Sequence, residues 1–320
     1  MDSNKEPRIE HRILLNPAKP PWLRRRAITA EDWQQMKSML DQLSLATICE
    51  EANCPNIGEC FRSKTATFLI LGRVCTRNCR FCAVEHGQPR PPDGEEPQHL
   101  VEAVQHLGLR HVVITSVTRD DLPDGGAAHF AACVEAIHRS TAATVEVLVP
   151  DFGGNETALQ VVVRAQPEVL GHNLEVVPRL YPQVRSRADY RRSLWLLQRA
   201  KELDVSTYCK SGLMVGVGET EQEVVAVMGD LRDVGCDFLT VGQYLRPSSQ
   251  HYDVVEYVTP ATFEYYARVA SGLGFRGVQC GPFVRSSYAA GTMFEQAGGV
   301  KRSQGAFTTE YPGSSSSCSR

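Results

Sequence analysis

The chain has 320 residues, 42% of them hydrophobic, and a formal net charge of −3 from 34 basic and 37 acidic side chains. That length and apolar fraction allow one large α/β domain or two small ones, and the near balance of charge gives no global pull toward nucleic acid or a membrane surface. No apolar run approaches the roughly eighteen residues that a membrane helix requires.

The start, "MDSNKEPRIEHRILLNPAKPPW", lacks the apolar core of a secretion signal, and Asp2, Glu6 and Glu10 argue against a transit peptide. A cytoplasmic protein is expected. The basic run Arg24, Arg25 and Arg26 reads first as a solvated stretch and second as a dock for an acidic partner domain. Residues 1–64 read as an extension. Within it "ITAEDWQQMKSMLDQLSLATICEEA" has helical spacing, with Trp33, Met36, Met39, Leu40 and Leu43 on one face and Thr29 as N-cap.

From Thr65 short β-rich runs alternate with helical ones. The expected strands are "TATFLIL", "HVVITSV", "TVEVLVP", "EVLGHNL", "LMVGV" and "FLTVGQYL". The expected helices are "EPQHLVEAVQHLG", "AAHFAACVEAIHRS", "ETALQVVVRA", "YRRSLWLLQRAKEL", "TEQEVVAVMGDLRDVG" and "PATFEYYARVASGLG". About six βα units imply parallel strands joined by right-handed crossovers. An open or partial barrel, or a doubly wound sheet, fits the number of units, and ligands then gather where the strands end. The tail, residues 298–320, is rich in serine and glycine and is expected to be disordered.

Six of the eleven cysteines crowd into 34 residues, in "CEEANCPNIGEC" (Cys49, Cys54, Cys60) and "CTRNCRFC" (Cys75, Cys79, Cys82). Such crowding in a long intracellular chain favours metal ligation over a disulfide framework. Three cysteines hold three irons of a [4Fe–4S] cube and leave the fourth for another ligand. A structural zinc site wants four ligands, and each triplet offers three without a histidine at finger spacing. A two-cluster electron carrier would ligate each cube with four cysteines. Cys133, Cys209, Cys236 and Cys280 lie in apolar segments and read as small buried hydrophobes; Cys318 lies in the tail.

C-x3-C-x2-C after the first strand of a βα repeat, with Phe81 before the last cysteine, resembles the radical S-adenosylmethionine (SAM) superfamily. Its order with "CEEANCPNIGECF", "TSVTRDDLPDGGAAHF", "EVLVPDFGGN", "KSGLMVGVGET", "VGQYLRPSSQH" and "GPFVRSSYAAG" is similar to that of lipoyl synthases over residues 20–295. The resemblance implies an α/β fold: a partial (β/α)6 TIM-like barrel over residues 65–280, with N- and C-terminal extensions (1–64 and 281–297) covering the strand-end face. It implies two [4Fe–4S] clusters and SAM. Cys75, Cys79 and Cys82 would hold a cube whose open iron takes the SAM amino and carboxylate groups. Cys49, Cys54 and Cys60 would hold an auxiliary cube with a serine of "RSSY" as fourth ligand, Ser287 first and Ser286 as the alternative. Thr115, Ser116, Asn173, Glu175 and Arg185 are SAM-contact candidates by strand-end position, each with a turn or capping role as the plain alternative. Gly216 and Gly218 fit a close approach to adenine or a tight turn equally.

Two sulfur atoms would enter at carbons 6 and 8 of a protein-bound octanoyl-lysine. Partners would be an octanoylated lipoyl carrier domain or glycine-cleavage H protein, a reduced donor such as flavodoxin or ferredoxin, and an iron–sulfur cluster carrier. The competing expectation is a radical SAM methylthiotransferase acting on RNA or protein, but no nucleic-acid-binding module is visible.

Overall fold

The computed structural model describes residues 19–24, 30–62 and 66–299. Arg25, Arg26, Thr29, Cys318 and the tail beyond Gly299 lie outside them. Among the described residues no helix is long and apolar enough to cross a membrane.

The extension does not run as one helix. α1 (Ala30–Gln42) ends where Ser44 takes a left-handed conformation (φ 54°), and β1 (Ala46–Thr47), α2 (Ile48–Glu51) and α3 (Ile57–Arg62) follow. On α1, Met36 and Leu40 are buried and Trp33 stacks on Phe61, ring centroids 5.8 Å apart. The apolar stripe is as expected; "LSLATICEEA" fails to continue it because Ala46 and Thr47 pair antiparallel with the next strand instead.

The βα alternation follows. β2 (Thr67–Ile70) leads into a loop with a two-residue pair of strands, β3 (Val74–Cys75) and β4 (Glu85–His86), then α4 (Glu96–Leu107). Next come β5 (His111–Ser116), α5 (Ala127–Ser140), β6 (Thr144–Leu148), α6 (Glu156–Arg164), β7 (Val169–Gly171), a short α7 (Tyr181–Val184) and α8 (Tyr190–Leu203). β8 (Tyr208–Val215), α9 (Glu221–Asp233), β9 (Phe238–Gln243), α10 (Pro260–Gly272), β10 (Gly277–Gly281) and α11 (Ala290–Gln296) complete the order. Local chemistry sets the helix starts. Asn155 and Asp189 accept from main-chain N–H groups of α6 and α8, Thr220 and Glu223 form a reciprocal capping box on α9, and Thr259 with Pro260 opens α10.

The sheet order is β1-β2-β5-β6-β7-β8-β9-β10, all parallel except β1, and it does not close. The six βα units are therefore present on a partial barrel. β10 adds a seventh parallel strand that "GVQCG" does not announce, its two glycines being poor strand formers. β8 begins five residues before "LMVGV", because Lys210 faces inward and is neutralised there by Glu146 at 2.8 Å.

Two cores result. Helix-facing residues such as Val112, Val145, Leu170, Cys209 and Leu239 join the main core under the helices. On the other face Val169 and Phe238 pack with Met293 and Phe294 of α11, which fills the bottom of the half-barrel. Cys133, Cys209 and Cys236 are fully buried, as read from the sequence, whereas Cys280, on β10, is only partly buried.

Candidate functional site

The loop after β2 carries the second triplet. Its turn is built on left-handed Leu71 (φ 67°) and Gly72 (φ 92°), with Leu71 N–H held by Glu96 at 3.0 Å. The β3–β4 pairing closes the loop, and Gly87 N–H donates to the Cys75 carbonyl at 2.9 Å. Neighbouring strand ends grip it. Thr76 N–H donates to Thr118 O at 3.0 Å and Arg80 N–H to Val184 O at 2.9 Å, while His251 Nε2 donates to Cys82 O at 3.0 Å.

Cys75 Sγ accepts two main-chain N–H groups, Arg77 at 3.4 Å and Thr118 at 3.3 Å. Burial pushes the Cys82 thiol up to about 12, and repulsion from Cys79, Cys75 and Glu175 adds to it. Cys79 is raised for the same first reason, with Arg185 working against the shift. Three thiols that feel one another's charge are thus gathered in one loop at the strand ends.

The SAM candidates separate. Thr115 Oγ1 donates to Leu148 O at 2.9 Å, so its hydroxyl serves the sheet. Ser116 Oγ, Asn173 Oδ1 and Arg185 Nε are buried and have no hydrogen-bond partner among the described residues. Buried polar atoms are rarely left so unless something else satisfies them. Arg185 Nη1 donates to Asn173 O (2.9 Å) and Leu174 O (2.8 Å), leaving Nε directed elsewhere. Glu175, in a left-handed conformation (φ 66°), accepts from Asn173 Nδ2 at 3.0 Å; burial raises its carboxyl, against the pull of Arg185, Asn173 and Arg285. Gly216 takes the turn role: a Cβ there would lie 2.2 Å from Gln243 Nε2 and 2.3 Å from Glu256 O.

The first triplet lies on α2, α3 and the turn between them. Thr47 caps α2, and Cys49 follows two residues later. Burial raises Cys49 to about 12, with repulsion from Cys54 and Cys60 adding to it and hydrogen bonding to Thr67 opposing it.

The C-terminal segment links the first triplet's neighbours to the strand-end residue Asn173. Asn56, between Cys54 and Cys60, donates to Phe283 O at 2.6 Å, and the Tyr288 hydroxyl donates to Glu59 at 3.0 Å. Asn173 Nδ2 donates to Ser286 Oγ at 2.5 Å. Room for this path comes from Gly212 and Gly242, where a Cβ would lie 2.9 Å from Ser286 Oγ and 2.1 Å from Val284 O. Sequence reasoning missed Asn56, Glu59 and His251; no local signal marks a contact between such distant residues.

Among the described residues no three His, Cys, Asp or Glu side chains close on a single-ion point. A cube instead holds each thiolate on its own iron. Soft thiol triplets and orphaned polar atoms beside one of them suit an iron–sulfur cluster with a polar co-ligand.

Parallel strands ending on a C-x3-C-x2-C loop define a radical SAM fold, and the Radical SAM superfamily model matches residues 69–231. Solved structures share the fold at low identity. Methylornithine synthase (PylB) has a TM-score of 0.52 at 13% identity, covering 73% of this chain and 72% of that one. Streptococcus suis SuiB bound to S-adenosylmethionine has a TM-score of 0.54 at 10% identity, covering 81% and 57%. Curated relatives are far closer. The lipoyl synthase of Caldanaerobacter subterraneus subsp. tengcongensis is 59% identical over 85% of this chain and 95% of its own. Those of Caldicellulosiruptor saccharolyticus and Geobacter metallireducens are 56% and 54% identical, over 87% and 85% of this chain and 98% and 96% of their own. The chain belongs to the lipoyl synthase family.

Proposed function

We propose that this chain inserts two sulfur atoms at carbons 6 and 8 of a protein-bound octanoyl-lysine, in a radical SAM reaction that draws sulfur from an auxiliary [4Fe–4S] cluster. The observation that carries the reading is the segment 283–288, which touches the upstream triplet's turn through Asn56 and Glu59 and the strand-end residues through Asn173. The segment thus runs from the upstream triplet to the strand-end residue Asn173, which supports a reaction that uses both triplets. The methylthiotransferase alternative is not favoured, since the curated relatives at 52–59% identity are lipoyl synthases.

In this reading Cys75, Cys79 and Cys82 hold the cluster that takes SAM, and Cys49, Cys54, Cys60 and Ser287 hold the auxiliary one. Ser286 Oγ already receives Asn173, which favours Ser287 as the fourth ligand. A serine oxygen is a poor match for soft iron–sulfur chemistry, which suits an iron that has to be released. When bound, the first cluster and SAM supply a carbon-centred radical able to open unactivated C–H bonds, which acid–base groups cannot. The chain's own part is positioning. Ser116, Asn173 and Arg185 supply the unpartnered polar atoms for SAM, Glu175 lies beside them, and Thr115 backs the strand end. Residues 1–64 and 281–297 serve as the extensions that bring the auxiliary site to the 65–280 barrel. Partners would be an octanoylated lipoyl carrier domain or H protein, a flavodoxin- or ferredoxin-type donor and a cluster carrier, in a reducing cytoplasm.

The test is anaerobic turnover of the reconstituted chain with SAM, a reductant and an octanoyl-lysine peptide, read by mass spectrometry. The product should gain two sulfurs in place of two C–H bonds, as a dithiol with no net loss of hydrogen in the reducing assay and two hydrogens lighter once oxidised to the disulfide, and appear with two 5′-deoxyadenosines. SAM cleavage with an unchanged peptide would refute the substrate assignment.

A further inference from the structure

Arg77 stands between Cys75 and Cys79, yet its side chain is only 9% exposed. Its guanidinium is held on two sides. Nε and Nη2 donate to Asp120 at 2.9 and 2.7 Å, and Nη1 and Nη2 donate to Asp151 at 3.1 and 2.8 Å. Asp151, 1% exposed, also receives Arg192 Nε at 2.9 Å and Gly153 N–H at 3.1 Å. Asp120 N–H donates to Thr76 Oγ1 at 3.0 Å, and that hydroxyl donates to Thr118 O at 2.9 Å. The loops after β2, β5 and β6 are thereby tied into one body. Its product is the pair of N–H groups, Arg77 and Thr118, that reach Cys75 Sγ.

We propose that Asp120 and Asp151 are positioning residues for the second triplet. Through Arg77 they hold the loop so that both N–H groups stay on Cys75 Sγ, and in doing so they raise the reduction potential of the cluster bound there. Bidentate arginine–carboxylate pairs fix orientation as well as distance. Hydrogen bonds to a cluster's sulfurs favour the reduced state, which carries one more negative charge. The Asp120 carboxyl is held below its usual range by its Arg77 hydrogen bonds, so the clamp is ionised at neutral pH. In Asp151 burial opposes ionisation and the same guanidinium outweighs it.

The proposal rests on the reading that the triplet holds a SAM-binding cluster. Its test turns on a sign. Asp120→Asn removes a negative charge near the cluster, which by Coulomb's law alone raises the potential; loosening the clamp lowers it. The full reconstituted chain is titrated by redox potential, following the paramagnetic signal that changes when SAM is added. The expected result is a midpoint that falls, approaching a tenfold lower reduced-to-oxidised ratio at fixed potential, about 59 mV for one electron. In the unloaded chain the Arg77 and Thr118 amides should exchange faster, and Asp120→Glu should recover much of both effects. Asp151→Asn should shift the midpoint the same way. A midpoint that rises or stays put in Asp120→Asn overturns the proposal. If the unsubstituted chain gives no SAM-sensitive signal, the assignment of the triplet falls, and the proposal with it.

Discussion

Replacing Gly242 by alanine tests whether the C-terminal segment is seated as described. A Cβ at that position would lie 2.1 Å from the Val284 carbonyl oxygen and 3.1 Å from its carbon. Both atoms are backbone, so no rotamer change relieves the overlap. Overpacking of this kind costs about 1–3 kcal/mol. Against it stands the burial of Met293 and Phe294, 2% and 4% exposed, each worth about 1.5–3 kcal/mol. The ratio of seated to displaced segment should then fall roughly 5- to 150-fold without unfolding the sheet, whose helix-side core is untouched. Hydrogen exchange should show residues 282–297 losing protection while β5 to β8 keep theirs. Sulfur insertion should drop far more than SAM cleavage, because the displaced segment carries Ser287. Gly229→Ala on α9, where a Cβ would meet nothing within 4 Å, is the control and should change neither reading. Unaltered protection of 282–297 in the Gly242 variant would refute the seating.

Two further predictions concern buried charge. Lys210→Met removes the ammonium facing Glu146, which is 3% exposed and, among the described residues, otherwise pairs with His111 at 3.6 Å. Breaking such a pair costs about 3–5 kcal/mol. The denaturant midpoint should fall accordingly, and Lys210→Met with Glu146→Leu should recover most of the loss; additive losses would contradict a coupled pair. His172, whose Nδ1 donates to Val149 O at 2.9 Å, is held down to about 4 by burial first and by Arg185 second. The unfolded chain then binds the proton more readily, so this contribution is present above the unfolded value of 6.5 and is lost as pH falls toward 4, by about 3 kcal/mol. An imidazole resonance of His172 that titrates near 6.5 in the folded chain would exclude it.

Helices were the most legible part of the fold. α5 and α8 match their sequence windows end to end because apolar spacing holds through both, with Asp189 capping α8 and left-handed Gly126 preceding α5. Strand ends were less so. Lys210 reads as a loop residue until Glu146, sixty-four positions away, is seen to neutralise it. β10 was invisible because its glycines answer to Met293 and Val284, contacts that no local pattern encodes. The cysteine triplets were legible since ligand spacing is a local property. What ties the first of them to the C-terminal segment, Asn56 to Phe283 across 227 positions, was not. Arg77, in the middle of the motif, has no local sign of its partners, because Asp120 and Asp151 arrive from two other strand ends.

The position of the upstream triplet follows from an edge that needs covering. An open sheet exposes the outer hydrogen-bonding edge of its end strand, which proteins cover or pair. Here β1 pairs with β2 through Ala46↔Leu69 and Thr47↔Phe68. Thr47 then does a second job, its Oγ1 accepting from Glu50 N–H at 3.3 Å to start α2. Strand register thus fixes the cap, and the cap fixes Cys49 two residues on. A slip of one residue would turn Thr47 to the other face, remove the cap and carry Cys49 away from Thr67. The pairing that covers the sheet edge is therefore also what sets the upstream thiols beside the C-terminal segment, and under the two-cluster reading proposed above weakening it should disturb cluster loading at Cys49, Cys54 and Cys60 before it disturbs the barrel.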